Sequence, residues 1–397
     1  MSTPFHKNPP AWWGPPKKFD PNFEERRISW LELFYDLVYV IAISRITHHL
    51  GMHITINGFL EYACLFIMIF WGWLNGSLYH DIHGNIGLRT RLTTLWQMMI
   101  IAALSVTIEQ APGKRLEYIT IVLMIMQFYI TYLWWSVGFY DKAHRRYNIP
   151  YTVLYLLSLG LMGLSLYVSQ EWLVLIVPLV ILFNYTPPFI SQQLLRWSSM
   201  DLSLSASMSE RLGLFTIIVF GEVVLGVVNG ISTRDIRLFS TWLNFGLVLS
   251  VVFALWWIFF TLVSNRNAKK SFTVATLLEL LFIPTLVALG VIAACLTWLF
   301  DPARQGHSLP SLFGYALASF LICISLMMGM LEYPDTVKHI MKRVRISLFV
   351  TAIVFFTWAI TGITIGTTYG LLVLIGILVV EMIYLNSLYY SLGIDDN

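Results

Sequence analysis

From Ser29 onward, apolar runs of 20 to 29 residues alternate with short polar breaks. A helix needs about 20 apolar residues to cross a bilayer. Twelve runs reach that length, near 29–50, 56–79, 90–109, 116–140, 150–169, 171–190, 209–230, 239–264, 272–300, 309–332, 344–365 and 369–391. The pattern predicts an all-α integral membrane protein with about twelve transmembrane helices. The breaks after the fifth and eleventh runs are the shortest. Pro178 and Pro284 fall inside the sixth and ninth runs, where neighbouring helices would re-satisfy the freed carbonyls of a kink. Two glycine pairs at spacing four, Gly226/Gly230 and Gly362/Gly366, are expected to permit close helix contact.

Composition supports the membrane reading. Of the 397 residues, 57% are apolar and 12% charged, against roughly 25% charged in soluble domains. Such a chain cannot cover a water-facing surface. A secreted disulfide scaffold and a disordered chain are excluded on the same ground. A net charge of +3, scattered between apolar runs, excludes a nucleic-acid partner. Cys64, Cys295 and Cys323 all lie in apolar stretches and read as small buried hydrophobes.

Lys and Arg set the expected topology. With the N-terminus inside, the inner segments hold Lys7, Lys17, Lys18, Arg26, Arg27, Arg89, Arg91, Lys142, Arg145, Arg146, Arg196, Arg266, Lys269, Lys270, Lys338, Lys342, Arg343 and Arg345, 18 in all. The outer loops hold five: Lys114, Arg115, Arg234, Arg237 and Arg304. Positive charge stays inside, so both termini are expected to be cytoplasmic. The layout is a polar tail over 1–28, a six-helix half over 29–190, a linker over 191–208, a second half over 209–391 and a tail over 392–397. The N-terminal tail lacks the apolar stretch of a signal peptide, and its Trp12 and Trp13 suit a headgroup layer. Corresponding strings recur at offsets of 181 to 184 (LELF at 31–34 with LGLF at 212–215, WGW at 71–73 with LWW at 255–257). They point to parallel six-helix repeats related by an axis along the membrane normal.

A charge at the bilayer centre costs roughly 2.5–3.5 kcal/mol, so each intramembrane ionisable residue needs a reason. The first run carries Glu32 and Asp36 on one face and Arg45 about half a turn out of phase. Polar groups on opposite faces suggest a central helix. The second run carries Glu61, the seventh Glu222, the ninth Glu279 and the twelfth Glu381. Glu210 and Arg211 are read as capping the cytoplasmic end of the seventh. A desolvated carboxyl takes up protons near neutrality, which suits a proton-coupled carrier, but each acid equally suits a structural role in helix packing. Rise per residue puts Arg45 roughly 24 Å up, Glu222 roughly 20 Å and Glu61 roughly 22 Å, while Asp36 and Glu279 lie only about 10 Å up. Arg45 is therefore expected to pair with Glu222 or Glu61.

His49 and His53 have helical metal-ligand spacing but no clear second pair, and His80-Asp81-Ile82-His83 in an inner loop has the same weakness. No metal, cofactor or enzymatic role is expected, since no phosphate loop, HExxH, GxSxG or Cys-x-x-Cys motif occurs.

The string SWLELFYDLVYVIAISRITHHL from Ser29 and the string ERLGLFTIIVFGEVVLGVV from Glu210 resemble the two signatures of the bacterial low temperature requirement A (LtrA) family. The positions carried over are Glu32, Phe34, Asp36, Glu210, Arg211 and Glu222. The resemblance implies a bacterial cytoplasmic-membrane protein associated with growth in the cold. Phe34 to Ala42 is also similar to the FSDGVFAIA helix of a lysosomal and bacterial potassium-channel family, with Tyr35 for its Ser and Leu37 for its Gly. These readings point to a carrier or channel for a small ion or solute. Its path would be lined by the first and seventh helices, with Asp36 and Glu222 as its ionisable groups. A non-transporting scaffold, or an intramembrane enzyme acting on lipid, is the alternative. Self-association is left open. The alternatives differ in where the acids face: a carrier needs them on a polar cavity, a scaffold in dry pairs.

Overall fold

The computed structural model describes residues 28–84, 87–110, 112–142, 145–195, 204–232, 237–264, 266–300, 311–362 and 366–391. The expectations for Trp12, Trp13, Arg234, Arg304 and the chain's two tails fall outside these residues. Among them, thirteen helices run in order: α1 (Trp30–Met52), α2 (Ile56–His83), α3 (Leu88–Ile108), α4 (Pro112–Tyr140), α5 (Arg145–Ser165), α6 (Gln170–Tyr185), α7 (Pro187–Leu195), α8 (Ala206–Ser232), α9 (Phe239–Leu262), α10 (Phe272–Leu299), α11 (Ser311–Met328), α12 (Asp335–Thr361) and α13 (Thr367–Tyr390). The sole β feature described is an isolated bridge between Ala268 and Leu331.

Eleven segments are long and apolar enough to cross a membrane, with α6 and α7 counted as one. Helix α1 is not among them. Its 23 residues reach roughly 34 Å, but Glu32, Asp36, Arg45, His48 and His49 dilute its apolar content.

Local chemistry explains the helix ends. Ser29 and Glu32 form a capping box at the start of α1. The Ser29 amide donates to Glu32 Oε2 at 2.8 Å, its hydroxyl donates to the same oxygen at 3.0 Å, and the Glu32 amide lies 3.4 Å from Ser29 Oγ. Ser205 caps α8 by accepting from the Met208 amide at 3.0 Å. Helix α8 therefore starts at Ala206, and Glu210 and Arg211 sit in its second turn instead of capping it. The helix predicted from residue 344 begins nine residues earlier, at Asp335 after the N-cap Pro334. The hydropathy signal fades there because the first turns carry Asp335, Lys338, Lys342 and Arg343. The sixth predicted run breaks at Thr186, where Pro187 and Pro188 lack amide hydrogens and α7 restarts the helix. Pro150, Pro178 and Pro284 are accommodated within α5, α6 and α10.

The chain divides into two compact units. One comprises Met1–Ala42 with Ile67–Met200, the other Ile43–Phe66 with Asp201–Asn397. In the first, α5 packs on α4, α6 and α7, and α3 on α4. Its core is aromatic. Trp134 stacks on Tyr151 at 4.3 Å between centroids, and Trp71 meets Tyr155 edge-on at 5.1 Å.

In the second unit α11 packs on α12 and α10, α8 on α10, and α13 on α9. Small residues let these helices approach. A Cβ on Gly226 would lie 2.9 Å from Thr297 Oγ1, and one on Gly230 would lie 2.9 Å from Phe300 Cβ. This pair does what its spacing predicted. The Gly362/Gly366 pair does not. Gly362 ends α12 with φ of 60°, a left-handed conformation that favours glycine, and Gly366 caps α13. These two glycines cap different helices, so their spacing never becomes a helix face.

A clamp outside the spans ties two loops of this unit. The Lys269 amide donates to Met330 O at 2.9 Å and the Glu332 amide to Asn267 O at 2.9 Å. The Tyr333 hydroxyl donates to Leu262 O at 2.6 Å, with the Arg266 guanidinium 5.3 Å from its ring centroid. Burial pushes the Tyr333 hydroxyl up to about 12, against the opposing pull of Arg266 and Arg345.

Candidate functional site

The acids fall into different environments. In the first unit Asp36 is fully buried and its Oδ1 accepts from the Trp73 indole at 2.7 Å. Around it lies a seam of neutral polar groups on the α2 face marked by Gly72 and Gly76. The Gln97 amide donates to Tyr39 Oη at 2.8 Å and to Gly72 O at 2.9 Å. A Cβ on Gly76 would collide with the Tyr35 hydroxyl and the Gln97 side-chain amide. Glycine is required there because polar side-chain tips occupy the space. One turn further along, His80 Nε2 and Thr94 Oγ1 share a hydrogen bond of 2.8 Å. His80 and His83 are buried in the last turn of α2 and not in the loop expected for them. Their four-residue segment continues the apolar helix before it, and packing against Tyr79 and Trp134 makes that continuation stable.

A second network in this unit joins Asn75, Trp134, Tyr155, Gln127 and Asn184. Asn75 Oδ1 accepts from Tyr155 Oη at 2.6 Å and from the Trp134 indole at 3.2 Å. The Gln127 amide donates to Asn184 Oδ1 at 2.9 Å, and the Trp71 indole to Asn184 O at 2.9 Å. These residues were missed by a search limited to charges. The available signal was four amides, Asn75, Gln97, Gln127 and Asn184, each inside an apolar run.

In the second unit Glu381 is buried and accepts from Ser347 Oγ at 2.7 Å and Thr351 Oγ1 at 2.9 Å. It is a hydrogen-bonded acid buried in the contact between α12 and α13. Glu279 is buried on α10, Arg211 is buried on α8, Glu61 is half-buried on α2, and Glu210 is exposed. Glu32 is absorbed by its capping box.

Glu222 differs from all of these. It lies half-buried on the wall of a pocket of about 540 Å³ formed by α1, α8 and α10. Helix α1 contributes Ser44, Arg45, Thr47, His48, Gly51 and Met52. Helix α8 contributes Glu222, Leu225, Gly226, Asn229 and Gly230, and α10 and its end contribute Ala293, Thr297, Trp298 and Phe300. Ser44 Oγ donates to Glu222 Oε1 at 2.5 Å, a bond that orients the carboxyl group. Arg45 lines the same pocket as Glu222, while Glu61 does not. Ser44, Asn229 and Thr297 were legible only as polar residues at helical spacing from the charged ones.

Trp30, Phe34, Leu37 and Ile41 form an exposed apolar stripe that Arg45 and His48 continue. The buried acids and the arginine do lie on opposite sides. Arg45 lines the pocket that α1 forms with α8 and α10.

His49 and His53 ring centroids are 5.2 Å apart, and no group of three metal-ligating side chains occurs among the described residues. Cys64, Cys295 and Cys323 are free thiols.

Apolar helices of spanning length, bonded to one another through buried amides and acids, define a polytopic, all-helical membrane protein. The family model for the bacterial low temperature requirement A protein (LtrA) matches residues 27–383. The chain belongs to that family. No curated protein and no solved structure matches it.

Proposed function

We propose that this LtrA-family protein is a non-enzymatic carrier or channel for a small ion or solute in the bacterial inner membrane, with both termini cytoplasmic. One observation carries the reading. Glu222 lines a pocket of solute size, together with Arg45. Ligand pockets typically span about 300–1,000 Å³. Glu32, Asp36 and Glu381 have local hydrogen-bond partners that give them structural work. The reading therefore places Glu222 and Arg45 on the solute path and gives Asp36 the role of an anchor. It keeps the two halves as six-helix repeats and assigns no cofactor.

The test is flux. Protein reconstituted in vesicles is assayed against a panel of inorganic ions and small polar solutes, alongside Glu222→Gln and Arg45→Gln. Wild-type flux above empty vesicles, reduced at least tenfold in both variants, is the expected result. Flux indistinguishable from empty vesicles across the panel removes the carrier reading.

A further inference from the structure

We propose that the end of the second unit where α9 and α11 finish and α10 and α12 begin holds the headgroup of an anionic phospholipid, with its acyl chains lying along α12. Basic residues stand on both segments of this end: Arg266, Lys269 and Lys270 between α9 and α10, and Lys338, Lys342 and Arg345 in the first three turns of α12. The paired backbone bonds of the loop clamp bring the two sets together. Arg345 Nε donates to Ser325 O at 2.9 Å, and its guanidinium lies against Gly329, where a Cβ would come within 3.2 Å. Lys269 Nζ donates to the carbonyl of that same glycine at 2.6 Å. The Arg266 guanidinium lies 5.3 Å from the Tyr333 ring centroid, and the charges of Arg266 and Arg345 both act on the Tyr333 hydroxyl. Three cations therefore converge on residues 329–333. Carbonyl oxygens and a ring hold them in place, and these partners carry no charge to cancel theirs. On the two segments, 262–271 and 329–346, seven cations, Arg343 included, stand against two acids, Glu332 and Asp335. Glu332 is exposed. Asp335 lies 3.5 Å from Lys338 with both side chains exposed, a surface pair of the kind that neutralises little.

The occupant follows from what lies beside the charge. Lys338, Lys342, Arg345, Phe349, Ile353 and Phe356 are three or four residues apart, so they share one face of α12, and all six are exposed. Cations head that face and apolar side chains continue it. Arg345 and Phe356 are separated by roughly 16 Å along the helix, about one leaflet of a ~30 Å hydrocarbon core. A phosphate above acyl chains matches that order and that length. Free phosphate or an acidic peptide would use the cations alone. Groups of about four to eight Lys and Arg beside a spanning helix are the common recognition element for anionic lipid. The reading is independent of transport.

The test titrates the purified full chain in non-ionic detergent and reads the melting temperature. The probes are phosphatidylglycerol, phosphatidylcholine with the same chains, inorganic phosphate and poly-glutamate. Phosphatidylglycerol should stabilise the protein, with half-effect at a concentration at least tenfold below that of phosphatidylcholine. Inorganic phosphate and poly-glutamate should not stabilise it. Lys338→Gln combined with Lys342→Gln should weaken phosphatidylglycerol at least tenfold, and Lys338→Arg with Lys342→Arg should keep it within a few-fold. Both positions are exposed, so the lipid-free melting temperature should match wild type. Arg145→Gln with Arg146→Gln removes two exposed cations from the first unit and should leave phosphatidylglycerol binding within twofold. Equal weakening in that control would show diffuse attraction between basic residues and lipid, and overturns the site. An effect of phosphatidylcholine equal to that of phosphatidylglycerol, or no effect of either, overturns it too. So does stabilisation by inorganic phosphate or poly-glutamate in place of the lipid.

Discussion

The indole of Trp73 donates to Asp36 at 2.7 Å between two fully buried side chains. A buried indole N–H that loses its acceptor costs about 1–3 kcal/mol. Asp36→Asn retains an oxygen for Trp73, whereas Asp36→Leu does not. The Asn variant should melt close to wild type and keep flux in proportion to its folded fraction, and the Leu variant should melt several degrees lower. Melting and flux measured on one preparation check this. A well-folded Asn variant without flux would place Asp36 in the solute path.

Gly230 stands where α8 meets Phe300, and a Cβ there would approach to 2.9 Å. Overpacking of this kind costs roughly 1–3 kcal/mol. Gly230→Ala should lower stability by that order. Gly221→Ala, on the same helix with nothing within 4 Å, should leave it unchanged or raise it slightly by reducing backbone entropy. Denaturation midpoints of the two variants decide the matter, and equal effects would show that α8 and α10 are not in tight contact.

The Tyr333 hydroxyl links its loop to Leu262 O at 2.6 Å. Tyr333→Phe should cost about 0.5–1.5 kcal/mol at neutral pH. Because burial raises the folded-state value to about 12 from the ordinary value of about 10, the unfolded chain loses the proton first. The advantage of wild type over the Phe variant is therefore full below pH ~10 and shrinks as pH rises toward ~12. Chemical denaturation at pH 7, 9 and 11 should show the difference narrowing only at the last.

The turn before α6 tests topology. A reporter placed at Gln170 or Glu171 should report from outside the membrane, since 18 basic residues lie on the opposite set of segments and five on this one. A cytoplasmic signal there would break the alternation on which twelve spans depend.

Much of this architecture was determined by local sequence. Helix positions followed from runs long enough to cross a bilayer, because in lipid each backbone amide must be satisfied within its own helix. The box of Ser29 and Glu32 needed only its spacing of three, and Gly226/Gly230 only its spacing of four. Gly362/Gly366 has that same spacing but its members cap two different helices, because Gly362, with φ of 60°, ends α12 and takes away the helix that would have given the spacing meaning. Which acid meets which partner was decided by tertiary structure alone. Asp36 and Glu222 look alike in a hydropathy profile. The first is closed against Trp73, 37 residues away, and the second is held by Ser44 across 178 residues at the edge of a pocket. Hydropathy records the cost of placing a carboxyl in the bilayer. What offsets that cost is a hydrogen bond from another helix, and that depends on how the helices pack.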